Sequence, residues 1–104
     1  MRTLKFIVTG QNIKKNPKCD FGDLVAGSVG YLKAAFKFSK DWDGCTKVAS
    51  FWLGDEEHAV LLDENNECII PTEVLVGNVF QVSATGAKSD YKIKTSKTKV
   101  RQEV

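Results

Sequence analysis

The stretch that decides the fold is Tyr31-Leu-Lys-Ala-Ala-Phe-Lys-Phe38. Apolar side chains occupy every second position from the leucine onward, and Lys33 and Lys37 lie between them. A period of two places successive side chains on opposite faces of a strand, whereas a helix would bring the lysines onto the apolar side. The stretch therefore predicts a strand with one buried and one solvated face, as is typical of antiparallel sheets.

Similar but shorter patterns lie on both sides of this strand. A polar turn at 63–67 separates two apolar runs, and it predicts a hairpin in which 68–70 pairs back on 58–62. Seven or eight short strands at a spacing of about ten residues indicate an all-β fold, either an antiparallel β-sandwich or a small barrel. The predicted strands are 3–9, 31–38, 46–53, 58–62, 68–70, 78–85, 91–95 and 98–101, with a short edge strand near Ile13.

Two interruptions predict single-turn helices near 39–44 and 71–75. Ser39 can cap the first, and Gly44 can end it in the left-handed conformation. Pro71 can occupy the first position of the second, where a missing N–H costs nothing. We expect Trp42 to close one end of the core. The predicted fold determinants are Phe36, Phe38, Trp42, Gly44, Pro71 and Phe80.

Length and composition indicate one globular domain over residues 1–104. Hydrophobic residues make up 42% of the chain and charged residues 27%, which is enough for a core. No apolar run approaches the roughly 20 residues of a membrane span, and the first residues lack the apolar region of a signal peptide. We expect a chain folded in a cytoplasm, without membrane contact, whose Cys19, Cys45 and Cys68 stay free thiols.

Few residues suggest catalytic chemistry. The chain has one histidine, His58, and no Cys-x-x-Cys pair. The run Asp63-x-Asn65-x-Glu67 resembles the start of a calcium loop, but it lacks the glycine at the sixth position and the glutamate at the twelfth. We therefore expect a protein that is not an enzyme, with no catalytic residues, no metal site and no cofactor.

Charge is unevenly distributed along the chain. Acidic residues concentrate at 41–43, 55–57 and 63–67, and basic residues crowd the last strands. Lys92 and Lys94 alternate with less polar residues, as they would on a solvent-facing strand. Since no aromatic platform for stacking bases accompanies the lysines, nucleic acid is a less favoured partner.

Three segments resemble small phage and prophage proteins of clostridial-type Gram-positive bacteria. The first, 31–52, joins an aromatic strand, a Ser-x-x-Trp-x-Gly turn and a Lys-x-Ala-x-Phe strand. The others are 59–75 and 92–104. The resemblance implies an immunoglobulin-like β-sandwich that is part of a virion, in the tail, baseplate, fibre or capsid surface, and is assembled in the host cytoplasm. It carries over no catalytic residue.

Three functional hypotheses follow. The first is a structural module that packs against other phage structural proteins, including further copies of itself, through outward-facing aromatic and apolar anchors. The second is a small inhibitor that binds a host or defence protein through the acidic segments. The third is nucleic-acid binding by the lysine-rich C-terminal strands. The candidate interface residues are Phe51, Trp52, Val79, Lys92 and Lys94.

Overall fold

The computed structural model describes residues 1–104 and is all-β, with two sheets packed together and two 3₁₀ turns. The 3₁₀ turns are Lys40–Trp42 and Thr72–Val74, within the segments where single-turn helices were predicted. There are nine strands rather than seven or eight, because the edge strand near Ile13 is complete. The strands are β1 (Arg2–Thr9), β2 (Asn12–Lys15), β3 (Leu32–Phe38), β4 (Thr46–Leu53), β5 (Glu56–Leu61), β6 (Glu67–Ile69), β7 (Val79–Lys88), β8 (Tyr91–Lys94) and β9 (Thr98–Arg101).

The first sheet has four strands in the order β2-β1-β3-β6 and is mixed, so the prediction of a purely antiparallel sandwich is wrong. β1 and β3 pair in parallel, with Arg2 opposite Leu32. The β1–β2 hairpin returns the chain to the end of the sheet at which β1 begins. The connection 16–31 then stays at that end, because the Arg2 guanidinium donates hydrogen bonds to carbonyls of 20–23. The next strand therefore runs in the direction of β1.

The second sheet has five strands and is antiparallel throughout. β5, β4 and β7 are neighbours in that order, and β7 is long enough to pair with two strands on its far side. Its C-terminal half pairs with β8 and its N-terminal half with β9. β8 and β9 therefore share one edge of this sheet, and β5 forms the other.

The core lies between the two sheets and follows the predicted alternation. In β3, Leu32, Ala34 and Phe36 are buried, whereas the two lysines point outward. Phe80 is buried on the facing sheet together with its period-two neighbours. Phe38 is partly buried, and its ring lies 5.9 Å from that of Phe36. Each fully buried side chain of this size contributes about 1.5–3 kcal/mol, so the apolar face of each strand fixes its orientation.

The turn at 63–67 forms, but it does not close the predicted hairpin. The carboxylate of Asp63 accepts the N–H groups of Asn65 and Glu67, and Asn66 has a φ of 59°. β6 then pairs with β3 of the first sheet and not with β5. The polar turn therefore connects the two sheets and does not close a hairpin within one of them. The residues of the turn do not distinguish these two outcomes.

Trp42 closes one end of the sandwich, with none of its surface exposed. Its indole N–H donates to the carbonyl of Gly10 at 2.9 Å. The ring packs directly on Gly86 in β7, where an added Cβ would lie 2.7 Å from the ring. Gly44 follows the 3₁₀ turn at a φ of 77°, a conformation that favours glycine. These contacts tie the turn 40–42 to both sheets.

The second 3₁₀ turn follows Pro71, whose extended backbone directs the chain into it. Val74 and Leu75 are both fully buried. The carbonyl of Leu75 accepts the N–H of Gly27, which joins this turn to the long connection before β3. No helical segment of the structure has the length and apolar character that crossing a membrane requires.

Candidate interaction face of the five-stranded sheet

The outward-pointing side chains of β4, β5, β7, β8 and β9 form one continuous surface, here named the outer face. Paired residues of neighbouring strands share a face, so the register defines it. Trp52 lies opposite Gln81, Ser50 opposite Ser83, and Val48 opposite Thr85. β5 adds Glu57, Ala59 and Leu61 opposite Trp52, Ser50 and Val48.

Phe51 does not belong to the outer face, so its predicted role as an exposed anchor is wrong. It is fully buried between the sheets. Adjacent strand residues point to opposite faces, and an outward Trp52 therefore forces Phe51 inward. Val79 does point outward, opposite Arg101, and is partly buried.

Trp52 is the aromatic centre of the outer face and is partly exposed. Its indole N–H donates to the hydroxyl of Ser83 at 3.0 Å, which fixes the ring against the sheet. The ammonium group of Lys97 lies 3.7 Å from the ring centroid on the solvent side. At this distance the ammonium group makes a cation–π interaction with the face of the tryptophan ring. The ring is therefore held in one orientation, between the sheet and a lysine that covers it.

Apolar side chains continue from Trp52 along β4 and β5 toward the row of Val48 and Leu61. Leu61 is 65% exposed, although it lies within a strand. Val48, opposite it, is partly exposed, and Ala59 is exposed on the same face. Beneath them Ser50 is buried and donates its hydroxyl proton to Glu57 at 2.6 Å. Together with Trp52, the aliphatic residues form an apolar strip along β4 and β5.

Basic side chains border this strip on the β8–β9 side. Lys92 and Lys94 lie opposite Ala87 and Thr85, which places both on the outer face. In β9, Lys99 lies opposite Gln81 and Arg101 opposite Val79. The structure thus brings Trp52, Val79, Lys92 and Lys94 of the predicted interface residues to one face.

Lys97 is the residue of this face that sequence reasoning missed. It lies between β8 and β9 and is brought over Trp52 because Gln11 anchors the residues just before it and β9 pairs with β7 just after it. The carbonyl of Gln11 accepts the N–H of Ser96, and its side chain donates to the carbonyl of Lys94. Contacts over such sequence distances leave no local pattern. Trp52 is thus one aromatic side chain that accompanies the lysines on this face.

The outer side of the four-stranded sheet is also basic, and its strands direct no aromatic side chain outward. Its one lysine–glutamate pair joins Lys33 and Glu67 at 2.7 Å. The hydrogen bond and the charge of Glu67 raise the pKa of Lys33. Ile69 is 43% exposed on this side, next to Lys33 in register.

The thiol and imidazole groups lie apart from the outer face. All three cysteines are free, and burial, with the charge of Asp63, raises the pKa of Cys68 to about 12. That thiol is protonated at neutral pH, and a thiol is a poor nucleophile in this form. The His58 ring lies 2.7 Å from the carboxylate of Glu56. No group of three or more histidine, cysteine, aspartate or glutamate side chains is placed to hold a metal ion.

Comparison with known proteins adds no relative to these observations. No protein-family model matches the chain, and no curated protein matches it. The function has to be inferred from the sequence and from the geometry of the outer face.

Proposed function

We propose that the chain is a non-catalytic structural module of a phage particle and that it packs against other virion proteins through the outer face. The observation that carries this proposal is Trp52, which is held in one orientation by Ser83 and Lys97 and lies on the same face as the exposed Leu61, two rows of the sheet away.

A fixed tryptophan suits an interface for two reasons. It presents a large apolar area, and it has little side-chain freedom left to lose when a partner covers it. Tryptophan and arginine are enriched among the residues that dominate binding energy, and such residues cluster near the centre of an interface. Trp52 lies at one end of the apolar strip and in the same row as Lys99 of the basic border, with Arg101 and Val79 beyond it on the same face.

The basic side chains that border the apolar strip indicate the chemistry of the partner surface. Lys92, Lys94, Lys99 and Arg101 all lie on one side of Trp52. A partner with an apolar centre and an acidic rim would complement both parts, and its rim would speed encounter and fix orientation. On binding, Lys97 would either stay over the Trp52 ring or pair with an acidic group of the partner. In the second case the apolar surface of the partner would cover the ring.

The assignment to a virion is supported by the resemblance of segments 31–52, 59–75 and 92–104 to phage proteins. The immunoglobulin-like character of the sandwich and a place in the tail, baseplate, fibre or capsid surface belong to the same proposal. A small β-sandwich suits such a place because most of its surface remains free for neighbours while its core is complete.

Mass spectrometry of purified particles tests the virion role. Particles are induced from a bacterium that carries the gene, purified by density gradient and treated with nuclease and protease before digestion. We expect peptides of this chain in amounts comparable to those of known particle proteins, with abundant cytoplasmic enzymes absent. Particles that contain the major structural proteins but not this chain would contradict the proposal.

Nucleic-acid binding is the second candidate, favoured by the basic border and by Trp52 on the same face. It predicts retention on single- or double-stranded DNA or on RNA that weakens steeply with salt. Exchange of Lys99 and Arg101 for glutamate should abolish that retention. A chain that flows through all three matrices at low salt is not a nucleic-acid-binding protein.

A further inference from the structure

The five-stranded sheet carries opposite charges at its two edges. The segment 54–67, which contains β5, has six acidic residues and no lysine or arginine. The segment 88–101, which contains β8 and β9, has six basic residues and one acidic residue. The acidic residues are Asp55, Glu56, Glu57, Asp63, Glu64 and Glu67, and the basic ones are Lys88, Lys92, Lys94, Lys97, Lys99 and Arg101.

Both edges have unpaired backbone groups. β5 pairs only with β4, and β8 and β9 pair with no strand other than β7. Gln11 bonds the carbonyl of Lys94 and the N–H of Ser96, so the free part of the second edge is β9. The free side of an edge strand presents N–H and C=O groups that can pair with another strand. β5 is six residues long, and neither a proline nor a covering loop of the structure interrupts it.

Strand direction allows the two edges to join. β5 and β7 are both antiparallel to β4, so they run in the same direction, whereas β9 is antiparallel to β7. A second copy placed beside the first, with the same face outward, therefore brings its β5 antiparallel to β9. Antiparallel pairing is the arrangement of every other strand pair in this sheet.

The register also places opposite charges at the same level. Glu57, Trp52, Gln81 and Lys99 form one row across the sheet. In the joined arrangement Glu57 of one copy lies at the level of Lys99 of the next, with Arg101 nearby. Two rows further along the strands, Leu61 lies at the level of Lys94, whose aliphatic stem can cover it.

We propose that copies of this chain associate head to tail, with the acidic β5 edge of one copy extending the five-stranded sheet of the next at its basic β8–β9 edge. The inference deepens the proposed role as an assembly module and rests on it, because it names a second copy of the chain as one of the neighbours. Such an interface uses two different surfaces of each copy, so it forms a ring or an open chain and not a closed two-fold dimer.

Sedimentation velocity of the full chain, treated with nuclease, provides the first test. We expect association that increases with protein concentration at about 0.01 M salt and is lost at about 1 M, because the Debye length falls from about 30 Å to about 3 Å. A chain that stays monomeric at high concentration and low salt would overturn the inference.

Charge-reversed variants test which edges meet. The variant Glu56→Lys/Glu57→Lys makes strand β5 basic, and Lys99→Glu/Arg101→Glu makes strand β9 acidic. We expect each alone to be monomeric and an equimolar mixture of the two to associate as wild type does. Lys5→Glu/Lys14→Glu, on the four-stranded sheet, makes the same change in net charge as the second variant and should associate normally.

Two controls keep these results interpretable. Circular dichroism and urea unfolding establish that each variant is folded, and Glu57→Gln, which keeps an acceptor for Ser50, should weaken association without a loss of fold. Variants that associate normally alone, or a mixture that does not associate, would overturn the inference. A chain that self-associates but is missing from particles contradicts the virion role alone, whereas a monomeric chain found in particles contradicts self-association alone.

Discussion

The two tryptophans, ten residues apart, have different roles, one in the core and one on the surface. Trp42 has no exposed surface, and its N–H is bonded to a backbone carbonyl at the end of the core. Trp52 is partly exposed on the outer face, and its N–H is bonded to the hydroxyl of Ser83. Each indole is satisfied as a donor, so the hydrogen bond does not distinguish them.

What distinguishes them is the element that carries each. The 3₁₀ turn before Gly44 directs Trp42 into the gap between the sheets, where Gly86 leaves room for its ring. Trp52 lies in a strand whose inward positions are filled by Ala49 and Phe51, so it points outward. The comparison separates a residue that stabilises the fold from one that is available for binding.

The largest effect is expected from Trp42→Ala. Removal of a buried tryptophan leaves a cavity and an unpaired carbonyl at Gly10, and the free energy of unfolding should fall by about 3–5 kcal/mol. Urea unfolding monitored by circular dichroism measures the loss. A change below about 1 kcal/mol would contradict the assignment of Trp42 to the core.

An intermediate effect is expected from Gly86→Ala. The new methyl group would lie 2.7 Å from the Trp42 ring, and the overpacking should cost about 1–3 kcal/mol. Gly77→Ala is the matched control, because its methyl group would lie 3.4 Å from Leu53. If both variants are equally stable, the close packing of Trp42 on β7 is wrong.

A smaller loss of stability is expected from Trp52→Ala, about 1–2 kcal/mol, because part of the ring is already in water. The same urea experiment measures it beside Trp42→Ala. The comparison between the two residues fails if Trp52→Ala is the more destabilising variant.

The smallest effect is expected from Lys97→Ala, which should uncover the Trp52 ring without altering the fold. In a Trp42→Phe background Trp52 is the only tryptophan, and acrylamide should quench its fluorescence more strongly after the change. Lys99→Ala, on the same edge, serves as the control and should leave quenching unchanged. Equal quenching in all three proteins would show that Lys97 does not cover the ring.

The strands are well predicted because apolar and polar side chains alternate with a period of two residues within each strand. The bounds of β4 and β9 agree with those predicted, and Leu32, Ala34 and Phe36 are buried as the alternation requires. Strand pairing is less predictable. Neither the parallel pairing of β1 with β3 nor the pairing of β6 with β3 follows from adjacent residues.

The candidate site is only partly predictable for the same reason. Strand alternation is enough to place Trp52 outward, and applied strictly it would also have placed Phe51 inward. The contact of Lys97 with Trp52 depends on bonds between 94–96 and Gln11, which only the folded chain brings together. The charge difference between the two sheet edges is visible in the sequence, but its meaning requires the strand order.

The most direct test of the account is whether the outer face is needed for incorporation into particles. Leu61→Gln and Ile69→Gln form a matched pair, since each replaces an exposed aliphatic residue in a strand, one on each sheet. The amount of each variant in purified particles is measured against wild type by mass spectrometry, together with Trp52→Ala. We expect Trp52→Ala and Leu61→Gln to be depleted at least tenfold and Ile69→Gln to be retained, a ratio that corresponds to about 1.4 kcal/mol. Folded Trp52→Ala and Leu61→Gln proteins that are incorporated as well as Ile69→Gln would contradict it.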